Sequence, residues 1–246
     1  MLTHLKRTTT LLILSLLLLS PIKSFAQEKT VFRDNQQWIQ YASDVNLSNK
    51  WTIKADASMR YRDDFNNKSQ YMARSSVHYR IKNQLTFFGG LAYSGYYENN
   101  KDLFREIRPF QGIGFNHQVH HLPSNHRFMI EERFIKSRKK APTAFKRYHS
   151  RLRYRFMVSL PLWARSGNAA KKLILRLSNE IFLTPNKTIT QHLFNSNRFL
   201  VGPEYQFTSG LKASLTYTYQ FSATAVRDTF HQSNIYRLKI KQNISL

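Results

Sequence analysis

Hydrophobicity that alternates residue by residue constrains this chain more than any other feature. From Trp51 to Arg62 the odd positions read Trp51, Ile53, Ala55, Ala57, Met59 and Tyr61, while the even ones read Thr52, Lys54, Asp56, Ser58, Arg60 and Arg62. The stretch from Leu211 to Ser222 sets Leu211, Ala213, Leu215, Tyr217, Tyr219 and Phe221 against Lys212, Ser214, Thr216, Thr218, Gln220 and Ser222. Between Arg147 and Val158, Tyr148, Ser150, Leu152, Tyr154, Phe156 and Val158 share one phase and Arg147, His149, Arg151, Arg153, Arg155 and Met157 the other. A strand turns successive side chains to opposite faces, so each set lies on one face of a strand; a helix would scatter it.

The pattern predicts eleven strands, near 37–47, 51–62, 70–82, 84–97, 105–117, 126–136, 146–158, 171–184, 195–207, 211–224 and 234–246. Most exceed the roughly 9 to 11 residues that a tilted strand needs to cross a hydrocarbon layer. Ser48-Asn49-Lys50, Lys82-Asn83 and Thr208-Ser209-Gly210 read as tight turns. The connections near 63–69, 98–104, 137–145, 185–194 and 225–233 read as longer, and 118–125 and 159–170 are long for the short side. Short turns on one side and longer loops on the other describe an all-β, closed, antiparallel up-and-down transmembrane β-barrel of about 10 to 12 strands. Single-chain bacterial barrels have an even count, so either Gln27 to Asn35 adds a twelfth strand or the first segment stays out and leaves ten. A water-soluble barrel would also alternate, but with the polar face outward. Here the polar faces carry rows of Arg and Lys that a soluble core could not bury unpaired. Tyr41, Trp51, Tyr61, Tyr93, Tyr96, Tyr97 and Trp163, near strand ends, suit interfacial girdles.

The compartment is read from the first residues. Lys6 and Arg7 precede the apolar run Thr10 to Ser20, and Ser24-Phe25-Ala26 is a small-x-small cleavage site, which predicts a signal peptide over 1–26 and a barrel domain over 27–246. A helical anchor would need about 20 apolar residues, more than this run supplies. The chain has no cysteine, which excludes disulfides and cysteine-based metal sites or nucleophiles. Its formal charge is +24; Lys6, Arg7 and Lys23 belong to the leader, leaving +21. Such a surplus often marks a nucleic-acid binder, but an export signal argues against that partner and toward anionic solutes and lipopolysaccharide.

The residues also carry a resemblance. Trp51 to Tyr61, Arg127 to Phe134 with Glu131-Glu132-Arg133, Asn179-Glu180-Ile181-Phe182, and Asn197-Arg198-Phe199 followed by Gly202 and Tyr205 make the chain similar to a family of outer-membrane barrels from Bacteroidetes known only as domain of unknown function 2490. That resemblance spans nearly all of the mature chain and implies fold, outer-membrane location and passage through the barrel-assembly machinery, with no activity attached. Exported barrels generally end in an aromatic residue, whereas this chain ends in Leu246, which is expected to take that role.

With these faces, the lumen is expected to be cationic. Its row comprises Arg60, Arg133, Arg147, Arg151, Arg153, Arg155, Arg176 and Arg198, with Lys54, Arg62, Arg74, Arg80, Arg237, Lys239 and Lys241. The acidic partners are Asp56, Glu131, Glu180 and Glu204, with Asp44 and Glu106. Two outcomes stay open: a salt-bridged plug in a narrow barrel, or an anion-favouring pore or binding cavity. A lipid-modifying or proteolytic enzyme is the alternative. His149 and Ser150 are adjacent and so face opposite ways, however. His231-x-Ser233 lacks an orienting partner, and Asp63-Asp64 with Asp228 and His231 reads as turn chemistry. His117, His120, His121 and His126 read as a polar connection rather than a metal site. No cofactor is implied. The basic run Lys136, Arg138, Lys139 and Lys140 is expected to contact lipopolysaccharide phosphates.

Overall fold

The computed structural model describes residues 29–137, 147–164, 171–185 and 193–246; residues 1–26, where a signal peptide is expected, and most of the basic run fall outside them. The described residues form eleven strands: β1 (Thr30–Asn46), β2 (Trp51–Arg62), β3 (Asn67–Lys82), β4 (Leu85–Glu98), β5 (Lys101–Val119), β6 (Leu122–Ser137), β7 (Arg147–Ala164), β8 (Lys172–Leu183), β9 (Phe194–Gln206), β10 (Leu211–Ala223) and β11 (Thr229–Ser245). Each pairs with its neighbours in sequence, and β1 pairs with β11 to close the barrel.

The expected even count is corrected. Residues 30–35 make no strand of their own; they lengthen β1, and the total among the described residues is eleven. Strands that reverse direction at every turn leave the first and eleventh running the same way, so the seam can only be parallel. It holds an unbroken register from Thr30↔Thr229 to Asn46↔Ser245, while the other ten pairings are antiparallel. Closure leaves no unpaired edge.

One rim carries the turns at 47–50, 83–84, 120–121 and 207–210, together with the chain's C-terminal end. Hydroxyl side chains lock two of them: Ser48 Oγ accepts from the Lys50 and Trp51 amides, and Thr208 Oγ1 from those of Gly210 and Leu211. The other rim carries the connections at 63–66, 99–100 and 224–228 and the start of β1. Two connections are tighter than their sequence suggests. Asn99-Asn100 (φ 48 and 60°) and His120-His121 (φ 47 and 68°) are two-residue turns with both residues left-handed, the hairpin geometry whose twist matches that of its strands.

The faces fall as the alternation demands. Leu91, Phe128, Leu152, Leu215 and Leu238, from β4, β6, β7, β10 and β11, are exposed outside, whereas Glu106, Glu131, Ser94 and Thr216 are buried inside. The barrel is therefore apolar without and polar within, the inverse of a water-soluble one. Packed apolar contact inside is small: Ala92, Phe110 and Met129 cluster, with Phe88 against them.

Candidate functional site

A cavity of about 1150 Å³ runs through the lumen, from Arg62 and Ser69 near the longer connections to Asn116, Gln118 and Pro123 near the opposite rim. Fourteen basic residues and two acidic ones line it. Register explains much of the wall. With side chains repeating every two residues, facing positions meet across strands. The pairing sets Lys54 opposite Asp44, Arg74 opposite Asp56, Arg151 opposite Glu131, and Arg198 opposite Glu180.

One side of the wall, from β5 to β8, is a continuous ion-pair network. Glu106 accepts from Arg133 Nε at 2.5 Å, from Arg108 Nη2 at 2.9 Å and from the Tyr96 hydroxyl at 2.8 Å. Arg108 reaches on to Glu131 at 3.6 Å. Glu131 accepts from Arg151 and Arg153, each at 2.5 Å. Arg153 continues to Glu180 at 2.8 Å, and Arg127 joins that carboxylate at 2.7 Å. Three glutamates thus hold five arginines. The other pairs made by cavity-lining cations among the described residues are separate: Lys54 and Lys241 on Asp44, Arg74 on Asp56, Arg176 on Glu204, and Arg62 on Asp34 at the rim.

Five cavity-lining cations have no carboxylate oxygen within 4 Å among the described residues: Arg60, Arg155, Arg198, Arg237 and Lys239. Arg198, although opposite Glu180 in register, sends its Nε to Gln220 at 2.5 Å. Its guanidinium lies 4.7 Å from the Phe182 ring centre and 5.6 Å from that of Trp38. Arg60 covers the Trp38 ring at 3.8 Å and Arg237 stands 5.9 Å from it. Two lumen aromatics, Trp38 and Phe182, are therefore sheathed in guanidinium groups, whose charge is drawn to the ring faces.

Of the cationic row expected from the sequence, Arg60, Arg151, Arg153, Arg155, Arg176 and Arg198 line the cavity. Arg133 pairs with Glu106 and does not line the cavity, and the Arg147 side chain lies outside the described residues. Arg80, two residues from the end of β3 at the short-turn rim, is exposed and lines no part of the cavity. Asp56, Glu131, Glu180 and Glu204 each hold at least one of these arginines or Arg74. The sequence reading missed Arg108 and Arg127, although both share the inward phase of Glu106 and Glu131. It also missed Trp38 and Phe182, which break the polar phase they sit in. Tyr96, read as a girdle residue, points inward to Glu106 instead. Of the basic run, Lys136 is next to last in β6, opposite Arg105; Arg138, Lys139 and Lys140 lie outside the described residues.

The weaker candidates find other work. His149 is buried and accepts from Arg133 at 3.0 Å. His231 lies tilted against the Phe32 ring, 5.5 Å between centres, while Ser233 accepts from Gln36. Asp63 accepts from Asn67 and Asp64 from Gln37, which fixes the β2–β3 turn. His117 and His126 stack on each other at 4.8 Å, and no three metal-ligating side chains converge among the described residues.

A family model described as a protein of unknown function (DUF2490) matches residues 35–231, which span β1 to the start of β11. No curated protein matches the chain.

Proposed function

The chain belongs to the DUF2490 family of proteins of unknown function, and from that premise we propose that it spans the bacterial outer membrane as a β-barrel whose lumen binds and passes small anions. The apolar outer face and polar lumen suit a hydrocarbon surround, and the leader read at 1–26 supplies the export route. On this reading the rim with the longer connections faces outward.

One observation carries the anion preference: the five cavity-lining cations with no carboxylate oxygen within 4 Å among the described residues. An unpaired charge away from bulk water costs several kcal/mol, so such a wall recruits counter-anions. A cationic wall of low dielectric concentrates anions and repels cations, which is how charged pores select. A sealed structural barrel is the second reading, favoured by the Glu106–Glu131–Glu180 network, which ties together four neighbouring strands.

The test is the reversal potential of the purified barrel in a planar bilayer under a KCl gradient, with heat-modifiable gel mobility to establish folding. Conductance with chloride favoured over potassium is expected. Potassium preference would defeat the anion reading, and a folded but silent barrel would turn the case to the sealed form.

A further inference from the structure

Within that lumen, we propose that Arg60, Arg198 and Arg237, gathered about Trp38, form a binding site for a tetrahedral dianion, namely phosphate or sulfate, free or as a soluble ester. The inference rests on the anion-favouring lumen proposed above and narrows it to a ligand class and a place. All three guanidinium carbons lie within 6 Å of one ring centre, all three residues line the cavity, and none has a carboxylate within 4 Å among the described residues. Three uncompensated charges on one ring call for a ligand carrying more than one negative charge.

The donors that remain free set its shape. Arg198 and Arg237 spend their Nε groups on Gln220 and on Thr216 Oγ1, which leaves the terminal fork of each for a ligand. Such forks match pairs of oxygens on phosphate-like groups. Arg60 gives its terminal nitrogens to Gln70 and Met72, but its Nε and the Ser58 hydroxyl, one strand repeat apart on β2, are buried without a hydrogen-bond partner, as are Arg127 Nε and Arg155 Nε elsewhere in the wall. Buried polar atoms are rarely left so, and an anion with several acceptor oxygens would satisfy both. A flat aromatic ligand is disfavoured, because Arg60 already covers the Trp38 face at 3.8 Å. Lys239 follows Arg237 two residues along the same inward face of β11 and adds to the local charge.

Trp38 supplies the reporter. The other two tryptophans, Trp51 and Trp163, are exposed on the outer face, so W51F/W163F leaves a single indole in the site. The folded barrel is titrated with sodium phosphate, sodium sulfate, sodium acetate and sodium chloride at fixed ionic strength, reading Trp38 emission and, in parallel, calorimetric heat on the unsubstituted chain. Saturation by phosphate and sulfate is expected at concentrations at least tenfold below acetate or chloride. R198Q and R237Q, each checked for heat-modifiable mobility so that one serves if the other misfolds, should raise the phosphate midpoint at least tenfold; R80Q, away from the cavity, should not. An equal response to all four anions overturns the site, as does an R198Q or R237Q midpoint that stays put, or the absence of saturation by either readout up to roughly 10 mM. Chloride-selective conductance without phosphate or sulfate binding would sink this inference alone and leave the proposed function standing.

Discussion

Glu131 is 2 % exposed and receives Arg108, Arg151 and Arg153 on its two oxygens. Replacing it with Gln keeps the shape and removes the charge, so three guanidinium groups would face one another with a neutral amide between them. Losing one partner of a buried ion pair costs about 3–5 kcal/mol, because the charge left behind is neither solvated nor matched. Glu131→Gln should therefore lower stability by about 3 kcal/mol, read as the urea midpoint of the barrel in lipid, and E131Q/R151Q should recover part of it. An unchanged midpoint would mean that water in the cavity already solvates these arginines. The pairing was half legible in the sequence: phase alone puts Glu131 and Arg151 inside. Which strand faces which, and at what register, is a three-dimensional fact, and Arg198 shows the limit of register itself. Glu180 lies opposite it, yet its guanidinium goes to Gln220 and the two rings instead.

Among the strands, β4 shows how closely two adjacent residues can differ. A Cβ added at Gly90, on the inward face, would fall 2.2 Å from the Ser75 carbonyl oxygen and 2.7 Å from the Phe110 ring, whereas one at Gly89, facing outward, would meet nothing nearer than 3.8 Å. The inward position is glycine because β3 and the Phe110 ring on β5 close over it. Crowding a packed position costs about 1–3 kcal/mol through displaced backbone and side chains. Gly90→Ala should thus lower the urea midpoint and the yield of folded, heat-modifiable barrel, while Gly89→Ala should match the parent in both; equal behaviour of the pair would show that β4 relaxes around the added methyl. The strand spans were legible because the period-two signal sums over a dozen residues. The tightness of the Asn99-Asn100 and His120-His121 turns was not, since polar residues running on from a strand look the same whether they pair or loop. In both turns the left-handed backbone marks the reversal.

For the whole molecule, strand parity decides where the chain begins and ends. The alternation yielded eleven segments, and the rule that bacterial barrels hold an even number argued for ten or twelve; the structure keeps eleven by closing β1 on β11 in parallel. A parity rule describes other barrels and puts no force on this chain. The seam itself carries seventeen consecutive register pairs without a slip, in the slanted bonding of a parallel ladder. An odd number of crossings puts the two ends on opposite rims: Thr30 lies with the 224–228 connection, whose Asp228 carbonyl accepts its amide, and Leu246 lies beside Asn46 at the short-turn rim. On the proposed outer-membrane reading, with the longer connections outward, an epitope placed between Lys29 and Thr30, which would remain on the chain after the cleavage proposed at Ala26, should bind antibody on intact cells. One placed after Leu246 should bind only once the outer membrane is permeabilised. An epitope within 224–228 serves as the outward reference. If both terminal epitopes behave alike, the chain crosses an even number of times in the membrane and β1 is not a full crossing strand. If they differ but the N-terminal one is the hidden one, parity holds and the assignment of rims is reversed.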